Sequence, residues 1–404
     1  MNIKQKIKSV ILSSLVSLKD RTIGMEEEII IITKEGKRLP VNKGNFFSGN
    51  DLIKILNKNC NNGSYSLEPG GQVEWSSLPY KSLINLDKAQ KKHKERLDKA
   101  ISQNNLKVIS YGVDPNFSAE EIDLIDDIKY ELMNKSMKKN GSMGKWMMRN
   151  TASVQINIDF VSEKELEEIV YVADCVNPIS AYLFSNSPLI NGEKVRNKNI
   201  RNIIWENTDN TRCKNLIDHG IIESKSLISR YIDFLGVVPG IFQLSRDGKV
   251  ESTEKNLLAR LENLDKLDRL KDEDIKCALH QIFTNVRLKN LIEIRGSDRP
   301  PIGYEMAPIS FWTGVLTVES VRSQILKEVI NWSYADRINF NTAALALDDS
   351  VITVANRKYS YWNNWLGELA IIGLKERGMG EEILFEQFFD NVKSNGPFSL
   401  QLQQ

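Results

Sequence analysis

One segment constrains the fold of this chain more than any other, because its polar and apolar residues alternate strictly. Between residues 154 and 159, valine and isoleucine side chains alternate with Gln155, Asn157 and Asp159. Successive side chains of a β-strand point to opposite faces, so the segment has one apolar face and one face of amides and a carboxylate. The pattern predicts a strand over residues 147–160, in a sheet whose apolar side packs on a core.

Three further segments place polar side chains on one strand face in the same way. The shared faces pair Glu26 with Glu28, Gln72 with Glu74 and Glu293 with Arg295, while Glu27 points to the opposite face and Glu68 lies just before a Pro-Gly-Gly turn. For any one strand, a solvated sheet face explains the pattern as well. Solvated sheet faces favour Thr, Lys and mixed charges. The polar faces of these four predicted strands instead carry Glu, Gln and Asn, with almost no Lys between them.

Carboxylates gathered on one surface repel one another unless a cation compensates them. Carboxylate and amide oxygens are the ligands of hard cations, which indicates Mg²⁺ or Mn²⁺. A soft metal site would need clustered His or Cys, but the three histidines are scattered and the four cysteines contain no CxxC pair. Because Mg²⁺ commonly bridges a few carboxylates to nucleotide phosphates, we expect a phosphate ligand at this site. The chain has no GxxxxGK[ST] motif, so it is not a P-loop enzyme.

Phosphoryl transfer also needs basic groups that neutralise the charge on the phosphate. The candidates are Arg295, Arg287, Lys289 and Arg212. Arg295 is favoured because it shares a strand face with Glu293. Surface charge or structural ion pairing remains an open alternative for the other three.

Charge balance and the distribution of apolar residues argue against a nucleic-acid-binding protein and a membrane-spanning protein. Lys and Arg together number 54 against 53 Asp and Glu, a balance without the basic excess that a broad nucleic-acid surface requires. No apolar segment is long enough to cross a membrane. The first 20 residues show helical apolar spacing interrupted by serines, which predicts an amphipathic helix rather than a signal peptide, and a cytoplasmic location is expected.

Strands and helices are mixed without strict alternation, which favours an α+β fold over a doubly wound sheet. Long helices are predicted over residues 81–104, over 162–185 with a break near Asn177-Pro178, and over 254–271 and 273–289. The part from about residue 305 to 404 is mostly helical. The 404 residues contain no internal repeat or low-complexity linker, and we expect residues 1–404 to form a single catalytic domain.

Seven segments match one ordered set of motifs. They are residues 24–28 (GMEEE), 67–74 (LEPGGQVE), 129–144, 147–160, 177–188, 204–212 and 286–298. In register, they resemble the motifs of the plant and proteobacterial type of glutamate–cysteine ligase, in which LEPGGQ-x-E is highly specific. Matching motifs from residue 21 to about 315 identify the chain as similar to that family.

The resemblance implies a glutamine-synthetase-like fold, in which a curved antiparallel sheet forms a funnel flanked by helices. It also implies a ligase that uses ATP with Mg²⁺ or Mn²⁺ to join L-glutamate to the amine of L-cysteine. Carried over to this chain, the metal ligands are Glu26, Glu28, Glu68, Glu74, Glu293 and Gln155. Arg295 and Glu293 are the catalytic residues, Arg295, Lys289 and Arg287 bind ATP, and the amino-acid pockets contain Asn157, Tyr130, Trp205 and Arg212.

Departures from the family pattern bear on the acceptor. Asn150 stands where many members carry Arg, Cys213-Lys214 replaces Thr-Gly, and Glu27 replaces a His of the plant type. A ligase with the same mechanism and another amine or acid is therefore the first alternative, and a non-catalytic relative is the second. Small-molecule substrates are the expected partners, with no nucleic acid or membrane, and the chain is expected to be a monomer or homodimer.

Overall fold

The strand Ile23–Thr33 organises the sheet, since three other strands pair with it. The computed structural model describes residues 2–44, 46–196 and 198–403. Its strands are β1 (Ile23–Thr33), β2 (Gly63–Leu67), β3 (Val73–Ser77), β4 (Leu106–Ile109), β5 (Val154–Ile158), β6 (Leu189–Ile190), β7 (Glu193–Lys194), β8 (Phe242–Leu244), β9 (Val250–Ser252), β10 (Val286–Leu288) and β11 (Ile292–Ile294).

Seven of these strands form one antiparallel sheet in the order β10-β11-β5-β1-β3-β2, and β4 pairs with the second half of β1. Residues Glu26 to Ile29 of β1 pair with β3, and Ile23 to Glu27 pair with β5. In the described residues, the outer strands β10 and β2 do not meet, so the sheet is open. β6 with β7 and β8 with β9 are separate hairpins.

The helices surround this sheet and fill the C-terminal third of the chain. They are α1 (Ile3–Ile11), α2 (Gly49–Asn57), α3 (Leu83–Gln103), α4 (Ile128–Asn140), α5 (Gly144–Asn150), α6 (Glu163–Leu183), α7 (Ile200–Glu206), α8 (Leu227–Phe234), α9 (Leu257–Lys266), α10 (Asp272–Leu279), α11 (Ala307–Leu316), α12 (Glu319–Val329), α13 (Tyr334–Leu345), α14 (Tyr359–Glu376), α15 (Ile383–Asn395) and α16 (Phe398–Gln401). Among the described helices, none combines the length and the hydropathy that crossing a membrane requires.

The two faces of the sheet differ as the alternation predicted. Met25, Ile156 and Ile294 belong to the main hydrophobic core, and α3, α6 and α11 contact the sheet. We call this apolar side the rear face. The opposite side, the front face, carries Glu26, Glu28 and their cross-strand neighbours. The antiparallel sheet with flanking helices confirms the α+β prediction, while the assignment of residues 1–404 to one domain stays a prediction.

The helix predicted over residues 254–271 is shorter in the structure, as Leu257–Lys266, and two other helix predictions differ more. The helix expected to break near Asn177-Pro178 runs through as α6, because residues 169–183 are all buried and packing outweighs the one backbone hydrogen bond that Pro178 removes. The helix predicted over residues 273–289 ends at Leu279. Val286 to Leu288 instead form β10, whose alternation of Val, Arg and Leu is the strand signal that the helical prediction missed.

The strand predicted over residues 147–160 was also wrong at its start. Residues 147–150 end α5, where Thr151 Oγ donates a hydrogen bond to the Met147 carbonyl at 2.7 Å. Strand geometry begins only at Val154. The alternation of polar and apolar residues extends back to Thr151, but residues 151 and 153 form only isolated bridges, with Val113 and Asp298, so the strand begins later than the alternation does.

Candidate active site

The front face of the sheet forms the floor of a cavity of about 560 Å³. β1, β3, β5, β10 and β11 contribute floor residues, while α4, α5, α7 and α10 contribute walls. Polar alternation on neighbouring strands therefore converges on one concave site. Small-molecule sites are usually concave cavities of this kind, although this one is more strongly charged than most.

Three glutamates on this floor can hold a metal ion. One carboxylate oxygen each of Glu28, Glu68 and Glu74 lies within 4.8 Å of the other two. In the described residues, this is the only group of three or more carboxylate, histidine or thiol side chains close enough to bind one ion. Burial, followed by repulsion among these carboxylates, raises the pKa of both Glu68 and Glu74. A bound cation would remove that repulsion.

Strand register and one tight turn bring the three glutamates together. Glu28 lies directly opposite Glu74 in the β1–β3 pair. Glu68 precedes the turn that joins β2 to β3, where Gly71 has φ +81° and its N–H donates to the Glu68 carbonyl at 2.8 Å. A Cβ on Gly70 would lie 2.4 Å from the Arg149 backbone, so only glycine lets this turn pack on the end of α5.

Glu26 and two amides extend the acidic floor. Burial and then repulsion from Glu293 and Glu74 raise the pKa of Glu26 to about 7. The Gln155 amide donates to Glu28 at 3.0 Å, and the Asn157 amide donates to Glu26 at 2.9 Å. Both amide oxygens are buried without a hydrogen-bond partner among the described residues. Unpartnered amide oxygens beside unpaired carboxylates fit a hard cation such as Mg²⁺.

Three basic side chains surround Glu293 at the other side of the floor. The carboxylate of this buried residue accepts hydrogen bonds from Arg287, from Lys289 at 2.8 Å and from Arg295 at 3.2 Å. Burial alone would raise the pKa of Glu293, but these three cations outweigh burial and hold the pKa well below its usual range. Three cations share one carboxylate, which leaves net positive charge facing the cavity.

The walls of the cavity combine an apolar part with charged and titratable side chains, which are Lys129, Glu273, Lys276 and His280. The apolar part includes Tyr130, Met133, Met147, Phe242 and Phe283. The Arg295 guanidinium lies over the Trp205 ring, 5.5 Å from its centroid, a distance typical of a cation–π contact. Apolar wall residues beside a charged floor exclude water and strengthen the electrostatic interactions made there.

The structure brings most of the predicted site residues together in this cavity. All six predicted metal ligands line it, as do Arg287, Lys289 and Arg295 and two of the predicted substrate contacts, Tyr130 and Trp205. Asn157 is not part of the lining, but it reaches the site through Glu26. The roles assigned to these residues stay predictions.

Arg212 is the exception. It is fully buried, and its guanidinium donates to the Asp209 carboxylate at 2.8 Å and to the backbone carbonyls of Gln281 and Pro239. It does not line the cavity. The prediction that Arg212 contacts substrate therefore does not match its position, because its donors are already occupied by the loops it holds together.

Two groups of site residues escaped sequence reasoning. Ser153 donates to the Glu28 carboxylate at 2.8 Å, and the alternation of the β5 segment would have found it if extended back by one polar position. The apolar wall from α4 and β8 carries no local signal, since a methionine or phenylalanine at helical or strand spacing looks like core. Only the folded chain places those side chains at a cavity.

Comparison with known proteins agrees with these findings. The chain is 29% identical to a chloroplastic glutamate–cysteine ligase of Medicago truncatula over 330 residues, which span 79% of this chain and 63% of that protein. It is 30% identical to the chloroplastic enzyme of Brassica juncea over 289 residues, 70% of this chain and 55% of that protein. The chain thus matches between half and two thirds of the length of these relatives.

A solved structure has the same fold. The glutamate–cysteine ligase of Francisella tularensis in complex with AMP superposes with a TM-score of 0.58 at 13% sequence identity, covering 96% of this chain and 88% of that one. The model of the family described as glutamate-cysteine ligase family 2 matches residues 22–350, which include every sheet strand and the whole charged floor. The chain belongs to glutamate–cysteine ligase family 2.

Proposed function

We propose that this protein is an ATP-dependent ligase that joins the γ-carboxylate of L-glutamate to the amine of L-cysteine. The products are γ-glutamylcysteine, ADP and phosphate. The observation that carries the proposal is the arrangement of the cavity floor in a member of this family. A triad of unpaired carboxylates, Glu28, Glu68 and Glu74, lies on one side, and a cluster of cations around Glu293 lies on the other.

The chemistry needs both sides of this floor. A carboxylate is a poor acyl donor because its oxygen is a poor leaving group, so the γ-carboxylate first attacks the terminal phosphorus of ATP and releases ADP. The acceptor amine then attacks the carbonyl carbon of the acyl phosphate, phosphate leaves with its bonding electron pair, and the nitrogen loses one proton as the amide forms. Walls such as Trp205 and Phe283 would keep water from hydrolysing the acyl phosphate.

Each charged group has a role in this scheme. Glu28, Glu68, Glu74 and Gln155 would hold Mg²⁺, with Glu26 beside them on the acidic side of the floor. Bound Mg²⁺ supplies positive charge that offsets the charge of the nucleotide phosphates. Arg295, Lys289 and Arg287 would neutralise the transferring phosphoryl group, and Glu293 fixes their orientation. The relative from Francisella tularensis was solved with an adenine nucleotide, AMP, which supports ATP as the phosphoryl donor.

The positions of the family departures do not favour an acceptor other than cysteine. Asn150 is buried, and its amide donates to the Phe117 carbonyl at 2.7 Å. Cys213 is also buried, and neither of these residues nor Lys214 lines the cavity. These substitutions therefore do not alter the cavity walls, and the alternative of another amine gains no support from them.

ADP release tests the proposal directly. Purified protein with Mg²⁺, ATP and L-glutamate should release ADP on addition of L-cysteine, and mass spectrometry should detect γ-glutamylcysteine. Omission of glutamate and a panel of other amines serve as controls. Turnover with a different amine would replace the acceptor and keep the mechanism. Nucleotide binding without turnover for any acid and amine would contradict the proposed activity.

A further inference from the structure

Arg201 is a buried arginine that the scheme above does not use. It is 2% exposed, lies on α7 and does not line the cavity. Its Nη2 donates to the backbone carbonyl of Arg295 at 3.1 Å, and its Nε has no hydrogen-bond partner among the described residues. Burying a guanidinium is costly, so a structure that keeps one here indicates a specific use.

Arg201 is linked to Arg295 in two ways, through the Trp205 ring and through the Arg295 backbone. Trp205 lies four residues along α7, on the same helix face, and the Arg201 guanidinium lies 5.7 Å from its ring centroid. The Arg295 guanidinium lies 5.5 Å from that ring. Two arginines thus contact one indole, while a hydrogen bond from Arg201 holds the backbone of the other arginine.

The segment after β11 is fixed at several points around this contact. The Arg295 N–H donates to the Asn285 carbonyl at 2.9 Å, so both backbone polar groups of Arg295 have partners. A Cβ on Gly296 would lie 2.2 Å from Asn177 Oδ1, which shows how closely this segment packs on α6. Removal of Arg201 would free the Arg295 carbonyl and leave the other attachments in place.

Charge also ties Arg201 to the site. Burial lowers the pKa of the Arg201 guanidinium; the carboxylates of Asp298, three residues after Arg295, and of Glu28 act against this shift, whereas the charge of Arg295 adds to it. Glu28 belongs to the acidic triad, and Asp298 is anchored by the Asn186 N–H at 2.8 Å. The charges around Arg201 therefore come from both sides of the floor, while its direct contacts are with the Arg295 carbonyl and the Trp205 ring.

We infer that Arg201 is a positioning residue, which sets the Arg295 guanidinium against the transferring phosphoryl group by holding the Arg295 backbone and the Trp205 ring. The inference rests on the proposed function, because it assigns Arg295 to the phosphoryl group. Arg201 itself touches no substrate. Partners that orient metal ligands change activity by about 10–100-fold when they are replaced, and we expect a loss of the same order here.

A double-mutant cycle separates positioning from general stability. Arg201→Met, Arg295→Met and the double variant are compared for kcat in ligation and for binding of Mg²⁺ with a non-hydrolysable ATP analogue by calorimetry. Arg201→Met should lower kcat by about 10–100-fold with little change in the KM for cysteine, and it should have almost no further effect once Arg295 is absent. Arg201→Lys keeps the charge without the planar fork and should be intermediate.

A matched control is Arg322→Met, since Arg322 is equally buried but pairs with Glu165 and Glu168 away from the cavity. It should lower the melting temperature and leave kcat unchanged. Additive effects of the Arg201 and Arg295 substitutions, or wild-type kcat in folded Arg201→Lys and Arg201→Met, would overturn the inference. If the wild type binds the ATP analogue but does not ligate glutamate to cysteine, the proposed function fails. The double-mutant cycle measured by analogue binding then still tests whether Arg201 acts through Arg295. Absence of analogue binding in the wild type would overturn both.

Discussion

The carboxylates on the two faces of β1 differ in burial and in their partners. On the rear face, Glu27 is 1% exposed, and its carboxylate forms an ion pair with Arg299 at 2.9 Å. The same carboxylate accepts a hydrogen bond from the Gln90 amide at 3.4 Å and lies 3.6 Å from His93 Nε2. On the front face, Glu26 and Glu28 stand one residue to either side of it. Among the described residues, neither they nor Glu68 and Glu74 form an ion pair within 4.0 Å.

The difference separates a structural charge from a functional one. A buried carboxylate is tolerated when a protein cation pairs with it, which is the state of Glu27. Carboxylates left unpaired and crowded cost folding free energy, as the raised pKa of Glu68 indicates, where burial acts first and neighbouring carboxylates second. We interpret the front face as charge kept for an external cation, at a cost in stability that functional sites commonly carry.

The front face gives the largest predicted effect. Glu74→Gln keeps the shape of the side chain and its hydrogen bonds from Ser66 and Ser76 but removes one charge from the triad. Turnover should fall by about 10³-fold, the upper loss seen when one group that stabilises developing charge is removed. ADP release with glutamate and cysteine measures it.

The same variant should fold at least as stably as the wild type in the absence of divalent ions, because it removes mutual repulsion from Glu28 and Glu68. Urea unfolding in EDTA checks this. A large loss of stability together with the loss of turnover would show that Glu74 is structural, and the contrast between the two faces would disappear.

A substitution on the rear face should lower stability and leave turnover nearly unchanged, the reverse of the front-face result. Glu27→Gln leaves Arg299 buried with only Glu305, 3.8 Å away, as a partner anion. The free energy of unfolding should fall by about 3 kcal/mol, the lower end for breaking a buried ion pair, because Glu305 compensates in part. Turnover well below the melting temperature should stay within about threefold of wild type, since surface and structural changes away from the chemistry act mainly through stability.

A second substitution tests whether the lost pairing is the cause. Glu27→Gln with Arg299→Met removes both charges and should recover part of the stability lost in Glu27→Gln, as replacement of whole buried ion pairs often does. Equal or greater destabilisation in the double variant would mean that packing around Arg299, and not charge, stabilises the rear face.

Sequence reasoning predicted which face each glutamate occupies, because alternation with period two is a local property. Glu26, Glu28 and Glu27 lie as predicted, and the front-face partner of Glu28 is Glu74. It could not predict which charges are satisfied. Arg299, the partner of Glu27, is 272 residues away in the chain, and Arg212 looked like a substrate contact although Asp209, three residues before it, holds it in the interior.

Element boundaries failed for a related reason. Pro178 predicted a break, yet burial of α6 on all sides outweighs the lost hydrogen bond. Arg201 was missed because its partners are the Arg295 carbonyl and the Trp205 ring, and only the ring lies near it in sequence. Local pattern thus predicts which side chains share a strand face, while long-range pairing decides which of them remain free to act.

Divalent ions should stabilise the wild type through the front face alone. An ion that binds the folded state at 100 times its Kd adds about 2.7 kcal/mol to the free energy of unfolding. Mg²⁺ should therefore raise the melting temperature of the wild type and of Glu27→Gln alike, and have little effect on Glu74→Gln. Scanning calorimetry across a Mg²⁺ titration measures this, and an equal shift in all three proteins would place the ion elsewhere.

The smallest effect concerns the pH dependence of the rear face. Burial, and then the charge of Arg299, lower the pKa of His93 to about 3. The unfolded chain binds a proton at His93 below its ordinary pKa of 6.5, and the folded chain does not until pH 3, so this group destabilises the fold as pH falls from about 6.5.

His93→Phe removes that proton and retains the ring that stacks on Trp75, with centroids 4.6 Å apart. Relative to wild type, the variant should gain about 1.4 kcal/mol of stability for each pH unit below 6.5, since one unit of pKa difference corresponds to that free energy. The loss of the hydrogen bond with the Tyr65 hydroxyl lowers its stability by the same amount at every pH and therefore leaves the slope intact. Urea unfolding of both proteins between pH 7 and pH 5 measures the slope. Parallel pH profiles would show that His93 is protonated in the folded state, which would make it a second cation for Glu27.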